Sequence, residues 1–123
     1  MKLPKLLMTA LKITEIELGM INLTIDTLKR GKISEEPERI INESSTNVIN
    51  QIINILKIIK KEELQKEAKE IRKTIMQIQA KSEALTRLED EELIIRVNLM
   101  ERDIKYAINR FNDLKTRIQE KNY

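Results

Sequence analysis

The chain has 123 residues, of which 41% are hydrophobic and 35% charged, and its formal net charge is +3. This length fits one domain with its own core, and the abundant isoleucine and leucine argue against disorder. Cysteine and histidine are both absent, which excludes disulfides, cysteine nucleophiles, and the most common general base and metal ligand. We therefore expect a protein that is not an enzyme and that uses no cofactor or metal.

The first eleven residues briefly resemble a targeting signal, but the apolar run is short. Lys12, Glu15 and Glu17 follow it at once, and no small-residue cleavage site is present. No stretch of the sequence is long and apolar enough to predict a transmembrane helix. We therefore expect a cytoplasmic or virion-internal protein.

Apolar residues recur at intervals of three and four along the whole chain, which predicts helices throughout. The first helix is predicted over 4–30, because Pro4 suits a first turn and Gly31 can adopt the left-handed conformation that ends a helix. Its main apolar stripe includes Leu7, Leu18, Ile21 and Ile25. Further apolar residues widen this stripe beyond half of the circumference: Leu6, Ile13, Ile16, Met20 and Leu23. A helix this widely apolar is expected to be covered on two sides.

The second helix is predicted over 35–60, with Ser34 as its N-cap and Pro37 in its first turn. Its apolar stripe includes Ile52, Ile55 and Ile59. The stripe then jumps by five residues, from Ile59 to Leu64. This break in helical phase predicts a turn near 60–63.

The remaining two helices are predicted over 62–87 and 91–121. A second phase shift, with Asp90 as a candidate N-cap, favours a turn near 87–90. The fourth helix keeps the coiled-coil rhythm for more than three heptads. Its packing residues are expected to be Leu93, Val97, Met100, Ile104, Phe111, Leu114 and Ile118.

Four helices of similar length joined by short links predict an antiparallel four-helix bundle with coiled-coil-like packing. One alternative stays open at this point. Because neither Gly nor Pro occurs after Pro37, residues 62–121 could form a single long helix in an elongated coiled coil.

The densest basic stretch supplies candidate phosphate contacts: Lys57, Lys60, Lys61, Lys66, Lys69 and Lys73. Glutamates interleave with these lysines and no aromatic side chain is nearby for base stacking, so a solvated surface is the favoured interpretation. The acidic run 89–92 is likewise interpreted as the start of a helix rather than a cation site, since acids favour the positive end of the helix dipole and no turn glycine is present.

The missing catalytic residue types and the excess of apolar helical surface favour a helical assembly or interaction protein. It would act through helix–helix association, as a homo-oligomer or as a subunit of a larger complex. One alternative is a small helical subunit of a nucleic-acid-binding complex that uses the basic stretch 57–73. Another is a small regulator or inhibitor that binds a host protein by laying a helix in its groove.

Overall fold

The computed structural model describes residues 3–31, 36–120 and 123. Its elements are α1 (Lys5–Lys29), α2 (Pro37–Ile58), α3 (Glu62–Lys81) and α4 (Asp90–Gln119), with a short 3₁₀ helix at Leu85–Arg87 between α3 and α4. No strand occurs within the described ranges. The predicted all-α bundle is confirmed.

The helices pack as a ring, in which α1 contacts α2, α2 contacts α3, α3 contacts α4, and α4 contacts α1. Ion pairs fix the direction of α1 against α4, since Lys29 pairs with Glu101 and Glu15 pairs with Lys115. The later residue of α1 pairs with the earlier residue of α4, and the earlier with the later, so the two helices run antiparallel. The short links make the other neighbours antiparallel too, which gives an up-down-up-down bundle.

The link between α2 and α3 lies at residues 59–61, where the phase break predicts a turn. Ile59 ends α2 in an extended conformation and stays buried in the core. The backbone N–H groups of Lys60 and Lys61 donate to the backbone oxygen of Tyr123, at 2.6 and 3.3 Å. These two N–H groups lie in the link and at the N-cap of α3, outside the helical hydrogen bonds, and a residue distant in sequence satisfies them.

The third helix is shorter than the predicted range 62–87, because it ends at Lys81. The Ser82 hydroxyl donates to the carbonyl oxygen of Gln79 at 2.7 Å, and Ala84 adopts a left-handed conformation with a φ of 57°. These two residues reverse the chain without Gly or Pro. The long helix over 62–121, which the sequence left open, is therefore not formed.

The start of α4 also differs from its prediction. Asp90 is the first helical residue, and Glu89 takes the N-cap position. The Glu89 carbonyl oxygen accepts the N–H of Leu93 at 2.8 Å, which begins the helix one residue before the predicted 91. Asp90 lies instead in the first turn, where its charge still favours the helix dipole.

The two ends of the α1–α2 link are described, although its centre is not. Gly31 has a φ of 74°, as its predicted role after the first helix requires. The predicted N-cap Ser34 lies outside the described residues. Glu36 takes the N-cap position in a left-handed conformation, and Pro37 follows as the first residue of α2.

The core runs along the axis of the bundle and contains most of the packing residues named from the sequence. Leu93 is only partly buried, because it lies in the first turn of α4, near the end of the bundle. The others are at most 5% exposed. They are Leu7, Leu18, Ile21, Ile25, Ile52, Ile55, Ile59, Val97, Met100, Ile104, Phe111, Leu114 and Ile118.

Candidate protein-interaction surface

α1 carries two apolar faces, and the bundle covers only one of them. The inner face, which includes Leu7 and Leu18, is buried against α2 and α4. On the outer face Leu6 is 53% exposed, Ile16 61% and Leu23 60%. Such a row of large apolar side chains in water is the kind of surface that marks an interaction site.

The outer residues are spaced as a coiled-coil seam. Their positions alternate between steps of three and four residues over three heptads, which keeps them in one line along a helix. We call this set the outer seam, and it consists of Leu6, Thr9, Ile13, Ile16, Met20, Leu23 and Thr27. Ile13 is half-buried, and the other six are exposed or partly exposed.

Side-chain contacts locate the outer seam relative to the neighbouring helices. Glu15 and Lys29 pair with α4, so α4 lies on that flank of α1. Helical geometry places the outer seam on the opposite flank, beside α2. The outer seam is therefore a solvent-exposed surface of α1 that lies next to α2 and away from α4.

The middle of α2, which borders the outer seam, is neutral. Gln79 of α3 donates to the Asn42 side chain at 2.9 Å and to the Thr46 hydroxyl at 3.0 Å, so α3 lies on that side of α2. Asn47 and Gln51 project from the other side, toward α1. No charged residue occurs between Glu43 and Lys57. Depletion of charge around an apolar centre is typical of the core of a protein interface.

The packing residues predicted for a core or an interface thus lie inside the bundle, and a different set of side chains faces outward. The outer seam was visible in the sequence only as a widening of the first apolar stripe. Its regular spacing was the signal that could have separated it from the inner face.

The predicted phosphate contacts do not form one group. Lys66, Lys69 and Lys73 lie together on the outward face of α3, with Arg72 and one acid, Glu70, beside them. The remaining three, Lys57, Lys60 and Lys61, are exposed at the end of α2 and in the following link. The structure therefore supplies a compact basic face of three lysines on α3.

Two of the interleaved glutamates turn away from this basic face. Glu63 pairs with Arg117 at 3.2 Å, and Glu67 pairs with Arg110 at 2.9 Å. Both arginines belong to α4. Lys66, Lys69 and Lys73 form no ion pair with any residue of the described ranges, so the outward face of α3 is more basic than the sequence alone indicates.

The acidic run at residues 89–92 occupies the N-cap and first turn of α4. Within the described ranges, no three acidic side chains come together as a metal site requires. The run therefore lies where the positive end of the helix dipole favours it.

None of the described helices combines the length and the apolar character that crossing a membrane requires. No protein-family model, curated protein or solved structure matches this chain.

Proposed function

We propose that this protein is a non-enzymatic assembly protein that acts through helix–helix association at the outer seam of α1. The supporting observation is the exposure of Leu6, Ile16, Met20 and Leu23 in one line on a helix whose other face is already buried. Burying such side chains against a partner helix yields the hydrophobic free energy that drives most protein association.

A pair of matched variants tests this proposal. Ile16 in the outer seam and Ile95 on α4 are both 61% exposed, so Ile16→Lys and Ile95→Lys make the same chemical change at equally exposed positions. Both variants should fold, and far-ultraviolet circular dichroism checks that they do.

Association through the outer seam predicts that only Ile16→Lys has an effect. Light scattering should show a smaller assembly for Ile16→Lys, or affinity capture should recover fewer partner proteins, while Ile95→Lys matches the unmodified chain. A chain that is monomeric at every concentration and captures the same proteins with and without Ile16→Lys contradicts the proposal.

A second candidate function rests on the basic face of α3. With Glu63 and Glu67 paired to α4, Lys66, Lys69 and Lys73 are available to contact phosphates, as in a helical subunit of a nucleic-acid-binding complex. Its affinity for nucleic acid should fall steeply with salt, because each phosphate contact releases counterions.

Charge reversal distinguishes this second candidate from the first. Replacing Lys66, Lys69 and Lys73 by Glu should abolish a gel shift with duplex DNA or RNA, while the same change at Lys57, Lys60 and Lys61 should weaken it less. An absent or salt-independent gel shift dismisses the nucleic-acid function and leaves the association proposal unaffected.

A further inference from the structure

We infer that the occupant of the outer seam is a second copy of this chain, with the two α1 helices packed antiparallel. The inference rests on the proposed function, since it names the partner for the same surface. It is carried by three properties of the surface: the match of the seam with itself, the charges beside it, and its area.

The outer seam is complementary to itself when one copy is reversed. An antiparallel pair places Leu6 against Leu23 of the second copy, and Ile13 against Ile16 of the second copy. Met20 then lies opposite Thr9 of the second copy. If the two helices shift by one heptad in either direction, at least one of the five large apolar residues no longer has a seam residue of the second copy opposite it. Only one register therefore buries all five.

The charges on the α4 side of the seam agree with this register. Lys5 lies at the flank opposite Asp26 of the second copy, whose carboxylate also pairs with Arg30 of its own chain at 3.1 Å. Lys12 lies opposite Gly19, which has no side chain. No two like charges meet along this flank. Because exposed ion pairs add little affinity, we assign to Lys5 and Asp26 the selection of orientation and register rather than the strength of binding.

The other flank carries one charge of α1, Glu17, which faces Ala10 of the second copy in the antiparallel pair. The α2 border on this flank favours the antiparallel orientation over the parallel one. An antiparallel pair brings the neutral border of α2 against the same border of the second copy. A parallel pair instead sets that border against α4, whose flank carries Glu101 and Lys115. Removing these charges from water opposite amides costs free energy, so the antiparallel pair is favoured.

The available area suits a dimer of moderate strength. α1 has 25 residues, so its outer face measures about 37 Å by about 10 Å. The border of α2, a helix of 22 residues, roughly doubles this footprint, to about 700 Å². A standard protein interface covers about 800 Å² on each partner, which the two helices together nearly supply.

The first test measures mass against concentration for the whole chain. Analytical ultracentrifugation should show a reversible rise from 14.5 kDa toward twice that mass. Ile16→Lys should weaken the dimer by about tenfold to a hundredfold, and Ile95→Lys should leave it unchanged. A monomer at every concentration overturns the inference of a second copy, whereas the wider proposal then depends on whether Ile16→Lys changes the captured proteins.

The second test reads the orientation. Because the chain has no cysteine, introduced thiols report a single contact. A mixture of Leu6→Cys and Leu23→Cys should form disulfide-linked dimers under mild oxidation, and neither variant alone should do so. Efficient linkage of Leu6→Cys with itself indicates a parallel pair, which overturns the antiparallel arrangement while leaving association through the outer seam intact.

Discussion

Ser45 lies in the centre of the bundle with 0% exposure, and its hydroxyl has no hydrogen-bond partner among the described residues. Four other buried hydroxyl side chains, Thr14, Thr24, Thr74 and Ser82, are satisfied by nearby backbone carbonyls. Thr14 donates to the Ala10 carbonyl at 2.7 Å, and Ser82 donates to the Gln79 carbonyl at 2.7 Å. A buried hydroxyl without a partner loses its hydrogen bonds to water and gains nothing in return.

We therefore expect Ser45→Ala to stabilise the protein. Removing the unpaired hydroxyl should raise the free energy of unfolding by about 1 kcal/mol, and the better helix propensity of alanine adds to this effect. Ser82→Ala is the matched control, since it removes a paired hydroxyl at 2% exposure and should lower stability. Urea unfolding of both variants measures the difference, and a loss of stability in Ser45→Ala contradicts the assignment.

At the scale of the elements, the turn between α3 and α4 depends on Ala84. Its φ of 57° lies in the left-handed region, which costs a residue with a Cβ atom about 1–2 kcal/mol. Glycine adopts this conformation without that cost, but it loses more entropy on folding. Ala84 keeps this strained conformation because Leu85, the first residue of the adjacent 3₁₀ helix, is buried in the core and fixes the position of the turn.

Ala84→Gly should accordingly raise the free energy of unfolding by up to about 1 kcal/mol, because relief of strain exceeds the entropic cost. Ala80→Gly provides the control, since Ala80 is an exposed residue with a helical backbone in the last turn of α3, where glycine lowers stability by up to about 1 kcal/mol. Thermal unfolding followed by circular dichroism compares the two. Equal destabilisation by both substitutions contradicts the account of this turn.

The same turn is attached to α2 through Glu38. The Thr86 hydroxyl and the Thr86 N–H donate to one carboxylate oxygen of Glu38, at 2.6 and 2.7 Å. These bonds, the hydroxyl foremost, lower the pKa of Glu38 from its ordinary value of 4.5. They join the first turn of α2 to a connection that is distant in sequence.

This contact predicts a pH dependence with a defined sign. The pKa of Glu38 is lower in the folded state than its ordinary value of 4.5. The ionised carboxylate therefore contributes fully to the free energy of unfolding above pH 4.5, and this contribution is lost as the pH falls through the folded-state pKa. Glu38→Gln should therefore flatten the decline of the free energy of unfolding in acid. Thr86→Val should reproduce part of that flattening, and an unchanged decline in both variants contradicts the role of this contact.

At the scale of the whole molecule, self-association links stability to concentration. Because a second copy that binds only the folded state stabilises it by mass action, the Tm of the unmodified chain should rise with protein concentration. Ile16→Lys should reduce this dependence and Ile95→Lys should retain it. Differential scanning calorimetry over a hundredfold range of concentration measures the effect, and a Tm independent of concentration in the unmodified chain argues against the dimer.

Helical periodicity determined much of the fold, because the three-and-four spacing of apolar residues is a local property of the chain. The phase break between Ile59 and Leu64 located one turn for the same reason. The end of α3 was predicted wrongly at residue 87, because Ser82 and Ala84 reverse the chain and neither is a typical helix breaker. The burial of Leu85 that holds this turn in place is a tertiary contact.

The candidate site was decided at the tertiary level. The two apolar stripes of α1 have the same spacing, and the sequence could indicate only that both need cover. Packing in the bundle determines which stripe is buried. α2 and α4 together enclose one face of α1 and leave Ile16 and Leu23 of the other face in water. Likewise, the acids of α3 alternate with its lysines in sequence, and only packing against α4 turned Glu63 and Glu67 toward arginines. Spacing along the chain determines which side chains share a helix face, whereas the neighbouring helices determine which face is buried.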